Sequence, residues 1–381
     1  MAPVAGSRDV VVARRLSTVR PCLALAIGDA VGEDRFGMGA RRLELSRAQI
    51  LDHRQAVGAL SERIPPGADS LRRAAWAGLQ DSMPRAALLS IHARVAAADP
   101  SAWEDRSLVQ VWGPRFGAYV VAAADRSVFT LGRLPDDVAG RRFAEELADR
   151  LEALLDGGRM NYADAGRALG IHPNALRYAA PTGRVLLRWD GARRPDVWTV
   201  AAPCVDPVDA RLELARRFLH VLGPGTAAAF GEWAGIPAAR AVSAFDGLAP
   251  TLTPVRTPIG EAWILAEDKA AFLAPAAVAP VPARLLPSGD VYTLLWGDDR
   301  SLLVPDAEQH ARLWTARVWP GALLVAGEIA GTWRRAGAEV SIDAWRRLSS
   351  AEREAVAAEA ESLPLVGIAG HIRIDWGAAA G

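Results

Sequence analysis

Lysine is almost missing: Lys269 stands alone among 44 basic residues, the other 43 being arginine. Beside a heavy alanine content, so lopsided a choice reads as GC-rich coding bias, and arginine abundance by itself argues for no ligand. Net charge is absent too, with 44 acidic residues against the 44 basic ones. No global field therefore draws the chain to nucleic acid or to an anionic membrane, and any anion-binding surface must be local. Cysteine is scarce. Cys22 and Cys204 lie far apart with no CxxC spacing and no Cys/His company, which excludes a disulfide framework and suggests no metal site. A reducing, cytoplasmic setting fits that usage. Nor is there a long apolar run: CLALAIG (Cys22 to Gly28) is too short to span a bilayer and meets Asp29, Glu33 and Asp34 at once, so no membrane partner is expected. Arg14, Arg15 and Arg20 ahead of it imitate a signal peptide faintly, but no small-residue cleavage site follows. Residues 1–40 read as a flexible extension, with Met38 an alternative start.

What is present is globular. At 51% hydrophobic and 23% charged, 381 residues are too many for one core and enough for two to four domains. LSRAQILDHRQAVGAL (Leu45 to Leu60) runs at helical spacing behind Ser46, a plausible N-cap. Helices are expected over Leu71 to Leu79 and Pro84 to Val95, followed by a hairpin in LVQVWGPRFGAYVV (Leu108 to Val121). Three helices and a two-stranded ribbon make a winged helix.

That order repeats. Helix Phe143 to Leu155, then NYADAGRALG and HPNALRYAAPTG around Gly170, have helix-turn-helix spacing, and RVLLRWDGARRPDVWTV folds back across Asp190-Gly191 as a wing. A third copy begins with a helix at Arg211 and ends in the ribbon TLTPVRTPIGEAWIL. The expected class is α+β: winged helices at 41–136, 137–205 and 206–270 forming a concave surface, an extended Pro/Ala linker at 271–285, and a C-terminal domain at 286–381. In that domain VYTLLWG, RSLLVP, ALLVAGEIAGTWRR and AEVSIDAW read as strands, before a helix from Ser349 to Leu363 and a closing strand HIRIDW. A small, partly closed antiparallel barrel, or a sheet with one covering helix, is expected.

Five ordered stretches carry a family resemblance: GLQDSMPRAALLSIHARV, VQVWGPRFGAYVVAAAD, LGPGTAAAFGEWAGI, ARLLPSGDVYTLLWGDDRSLLV and VAGEIAGTWRR. Together they resemble the AlkZ/YcaQ-type family of winged-helix DNA glycosylases, over roughly Arg41 to the C-terminus. The resemblance implies three tandem winged helices, a C-terminal β-domain, and monofunctional removal of N7-alkylated bases, interstrand crosslinks included, without a cofactor. It implies a Gln-x-Gln or Gln-x-Asp motif where this chain has Gln80-Asp81-Ser82. The first glutamine matches, whereas the second functional position falls on Ser82. A further departure lies in the first wing, where an RGTxH-like stretch is replaced by Arg115-Phe116-Gly117-Ala118-Tyr119.

An N7-alkylated purine already carries positive charge and leaves as a neutral base, so the enzyme's task is to stabilise an oxocarbenium-like sugar and place a water. The Gln80 carbonyl can accept a hydrogen bond from that water. Ser82 could supply a second acceptor, and Asp81 a stronger base and a negative charge. The competing reading makes Ser82 or Asp81 the N-cap of the helix near Pro84, worth about 1 kcal/mol. His92, alone on an apolar helix, reads as packing, as do Trp333 and the turn residues Asp290, Asp298 and Asp299.

For the duplex, residues 161–200 hold six arginines against three aspartates. Arg177, Arg184, Arg188 and the wing-tip pair Arg193 and Arg194 are phosphate candidates, with Arg85, Arg115 and Tyr119 beside the motif. Three units on one concave face would let a monomer span double-stranded DNA. The rival expectation is a winged-helix protein that binds DNA without catalysis, for sequestration, resistance or regulation.

Overall fold

A computed structural model describes residues 42–81, 83, 85–189, 194–275, 282–365 and 371–377. The extension at 1–40, the Asp190-Gly191 turn and part of the linker lie outside these residues. β1 (Leu43–Glu44) leads into α1 (Arg47–Val57). The Ser46 hydroxyl accepts from the Gln49 N–H while the Gln49 side chain accepts from the Ser46 N–H, a reciprocal cap. α2 (Ser70–Ala74) is shorter than expected. Gly78 takes φ +75°, and a Cβ there would stand 2.9 Å from the Phe129 ring and 3.1 Å from that of Tyr119. At this left-handed residue, beyond the end of α2, the chain turns into a strand, β2 (Leu79–Gln80). α3 (Ala86–Arg94), β3 (Leu108–Trp112) and β4 (Ala118–Ala122) follow, with β4 paired to β2 on one side and β3 on the other.

α4 (Arg126–Thr130) precedes α5 (Val138–Leu155), which starts earlier than Phe143 because Asp137 caps it by accepting from the Gly140 N–H. After β5 (Met160–Asn161) and α6 (Tyr162–Ala168), the expected second helix is a 3₁₀ run over Pro173–Thr182. Pro181, inside it, has no N–H to give to an α-helical ladder. β6 (Val185–Arg188) and β7 (Asp196–Thr199) form the second ribbon. α7 (Pro207–Leu222) begins before Arg211, capped by Asp206 with Pro207 in its first turn, and α8 (Ala227–Ala234), α9 (Ala238–Leu248), β8 (Leu252–Thr257) and β9 (Gly260–Leu265) complete the third unit.

Beyond α10 (Lys269–Phe272) and β10 (Arg284–Leu286), two expected strands are helical. The Asp290 carboxylate accepts from the Tyr292 N–H and winds Val291–Thr293 into a 3₁₀ turn, and RSLLVP contributes to α11 (Asp299–Leu303). α12 (Ala307–Leu313), β11 (Gly321–Val325), β12 (Glu328–Ala336), β13 (Glu339–Ala344), α13 (Ser350–Glu361) and β14 (Arg373–Trp376) close the chain. The C-terminal sheet runs β10-β11-β12-β13-β14, antiparallel except for the parallel β13/β14 pair. β10 and β14 are its two edges, so among the described residues it is an open sheet rather than a closing barrel.

Strand alternation buries both faces of that sheet. Leu285, Leu323 and Val325 meet Val356 and Ala360 of α13, while Leu286, Ala322 and Leu324 join the main core with Phe218, Phe230 and Trp233. The first two ribbons are not separate: the bridge Gln110↔Leu187 joins them into one six-stranded sheet, β2-β4-β3-β6-β7-β5. Among the described residues no helix is long and apolar enough to cross a membrane.

Candidate active site

Residue alternation in β2 decides which motif residues face outward. Leu79 pairs with Val120 and is buried, whereas Gln80, opposite Tyr119, is half-buried and lines an open cavity of about 430 Å³. The Asp81 N–H then donates to the Ala118 carbonyl at 2.7 Å and its side chain turns inward. Asp81 is 2% exposed: one carboxylate oxygen accepts from the Ala87 N–H at 3.0 Å, the other from Gln110 Nε2 at 2.8 Å. The carboxylate thus satisfies a free N–H in the first turn of α3, although the N-cap position itself is Arg85. Burial pushes the Asp81 carboxyl up to about 6, partly opposed by the Ala87 hydrogen bond and by Arg85 and Arg188. Ser82 lies outside the described residues.

Gln110 extends the support. Its Oε1 accepts from the Trp189 N–H at 2.6 Å and its Nε2 also donates to the Trp189 carbonyl at 3.2 Å, tying the motif to the end of the second ribbon.

The opposite wall comes from a distant part of the chain, the loop 287–296 and residues 317–319. Gly289 sits at φ +73°, and a methyl group there would stand 3.1 Å from Gln80 Cδ, 3.2 Å from its Oε1 and 3.3 Å from its Nε2. A buried charge network holds this wall in place. Arg94 of α3 donates to both oxygens of Asp290 at 2.7 Å, and Ser90 adds a third bond at 2.7 Å. Burial raises the Asp290 carboxyl, but the Arg94 pair outweighs it and the group titrates below the usual carboxylate range. Trp296, Arg317 and Trp319 complete the wall. Sequence reasoning assigned none of these to the site, although PSGD and WGDD both lie in a stretch that carried the resemblance.

The expected arginines divide. Arg115 faces the cavity, its guanidinium 4.9 Å from the Trp296 ring centroid and 3.3 Å from Glu232. Arg85, with left-handed φ +64°, and Arg188 lie 3.9 and 3.7 Å from the Trp103 ring centroid, and Arg188 also pairs with Glu104 at 3.0 Å. Arg184 is engaged by Asp149 and Glu152 of α5. Arg177 is half-buried and Arg194 exposed; Arg193 lies outside the described residues. Tyr119 is 3% exposed, packed between Gly78 and Gly113 as the cavity floor, which corrects its reading as a DNA contact. Burial moves its hydroxyl above the ordinary tyrosine range.

His92 is buried against Arg63 and Ser362, with desolvation lowering it to about 4, and Trp333 Nε1 donates to the Leu286 carbonyl at 2.8 Å. Among the described residues no group of three or more His, Cys, Asp or Glu side chains is arranged to hold a metal.

A family model described as DNA glycosylase AlkZ-like matches residues 73–364. Among solved structures, the Streptomyces sahachiroi DNA glycosylase AlkZ is similar with a TM-score of 0.71 at 18% identity, covering 88% of this chain and 100% of that one. No curated protein matches.

Proposed function

Since the chain belongs to the AlkZ-like DNA glycosylase family, we propose that it hydrolyses the N-glycosidic bond of N7-alkylated or crosslinked purines in double-stranded DNA. The helix, helix, ribbon order at 138–199 and 207–265, preceded by α1 to β4, supports reading three tandem winged helices that bind the duplex as a monomer. The observation that carries the chemistry is Gln80, presented by a strand edge into an open cavity while its neighbour Asp81 is turned away.

In the proposed reaction the C1′–N9 bond breaks and its electron pair neutralises the cationic base, leaving an oxocarbenium-like sugar. Water adds to C1′ and loses a proton to solvent. A carboxamide is too weak a base to remove that proton, so the Gln80 carbonyl orients the water while the amide is held against Gly289. Arg115 and Arg317, on the two walls, carry positive charge suited to the strand's phosphates. Asp81 acts as a positioning residue: through Ala87 and Gln110 it fixes the start of α3 and the end of β2.

The test is incubation of the protein with duplex containing N7-methylguanine or a nitrogen-mustard crosslink, then alkali, which breaks strands at abasic sites. Breaks that disappear in Gln80→Ala, with folding retained, support the reading. Tight duplex binding without breaks on any lesion would instead establish the non-catalytic binder, and unchanged turnover in Gln80→Ala would remove that residue from the site.

A further inference from the structure

Large aromatic side chains rarely stand in water, yet two do so here, clustered with a third, half-buried ring beside the cavity. Phe143 of α5 is 53% exposed and Tyr178 of the 3₁₀ run is 50% exposed. Their ring centroids are 6.0 Å apart, and Tyr178 meets half-buried Phe116 edge-on at 5.4 Å. Phe116 is the chain neighbour of Arg115, which lines the Gln80 cavity, so the cluster begins one residue from the candidate active site. Both residues are held at positive φ, +52° and +57°, a conformation that side-chain-bearing residues keep only where their surroundings impose it. The hairpin tip is thus set, rather than free to fold its ring away.

The charges around the rings suit a polyanion. Exposed Arg115 is the chain neighbour of Phe116 and half-buried Arg177 that of Tyr178, whereas Arg133, 4.6 Å from the Phe116 centroid, is buried and donates to the Trp112 and Ala234 carbonyls, so it supports the ring from beneath. Aromatic faces flanked by arginine are what single-stranded nucleic acid uses: every base has a π-face, and the backbone follows the positive charge.

We propose that Phe116, Phe143 and Tyr178 form a stacking platform for unpaired bases of a strand leaving the Gln80 cavity, so that the protein prefers duplex bearing unpaired arms. This rests on the DNA reading above and adds to it a preference for DNA form. A protein partner on the same patch is the competing occupant, and the arginines beside the rings favour the bases.

Fluorescence anisotropy with a blunt duplex, and with the same duplex carrying unpaired arms, tests it. The wild type should bind the armed DNA about tenfold more tightly, the scale of stacking one base. The double variant Phe143→Ala/Tyr178→Ala should lose that preference while blunt-duplex affinity stays within about twofold; Tyr178→Phe, which keeps the ring, should retain it. Equal wild-type affinity for both DNAs overturns the proposal, as does a double variant that keeps the preference or weakens both DNAs equally. Failure of the wild type to bind either DNA would instead sink the underlying DNA reading, so the two failures are distinguishable.

Discussion

Gly289→Ala is the sharpest probe of how the cavity works, because it touches Gln80 from a residue more than two hundred positions away. Alanine at φ +73° costs about 1–2 kcal/mol through its backbone alone. Its methyl would also stand 3.1 Å from Gln80 Cδ, and opening that to an ordinary contact of about 3.5 Å shifts the carboxamide by ~0.4 Å. A misplacement of about 1 Å can cost a hundredfold in rate, so a shift of this size should slow excision by roughly tenfold. Gly297→Ala is the matched control: it too sits at positive φ, +53°, but its methyl would enter open space. Single-turnover excision of N7-methylguanine should fall in Gly289→Ala alone, while both variants unfold slightly earlier in urea and bind duplex as the wild type does. A wild-type rate in Gly289→Ala, or an equal loss in Gly297→Ala, refutes the view that this glycine exists to seat Gln80.

Asp290→Ala should destabilise the protein by about 3–5 kcal/mol in urea, because it leaves the buried Arg94 guanidinium without its carboxylate; a loss below about 1 kcal/mol would show that water replaces the pair. Asp81 offers a pH test whose sign is fixed by burial. Its folded value of about 6 lies above the unfolded value of roughly 4, so the native state holds the proton longer, and this group's contribution is present below pH ~4 and lost as pH rises through ~6. Asp81→Asn cannot titrate and should flatten that part of the curve of urea midpoint against pH; parallel curves would contradict the assignment. Arg194→Ala should lower the salt slope of duplex binding by up to about one phosphate contact, and an unchanged slope would place this residue off the backbone.

Local signals were enough for much of the fold. Ser46 with Gln49 and Ser349 with Glu352 start helices where capping chemistry says they should, and alternation recovers the β3/β4, β6/β7 and β8/β9 ribbons. The misreadings have local causes that only neighbours reveal. VYTLLWG has strand composition, but Asp290 winds its start into a 3₁₀ turn while bonded to Arg94 from another unit. The helix expected through Leu79 ends at Ala74, and Gly78, at φ +75° with no room for a Cβ beside Phe129 and Tyr119, turns the chain into β2.

By itself the sequence determined the three two-stranded ribbons, the cap at Ser46, the absence of a net field, and Gln80 as the residue to watch, since these follow from side-chain chemistry over a few positions. Tertiary structure decided what surrounds it. Asp81 became a buried cap because Gln110 and the α3 N-terminus converge on it, and Arg184 was drawn to Asp149 and Glu152. The facing wall of Gly289, Trp296 and Arg317 depends on a buried ion pair spanning 196 positions. Contacts at that separation leave no periodicity in the chain, because they are set by where whole elements pack rather than by spacing along one of them.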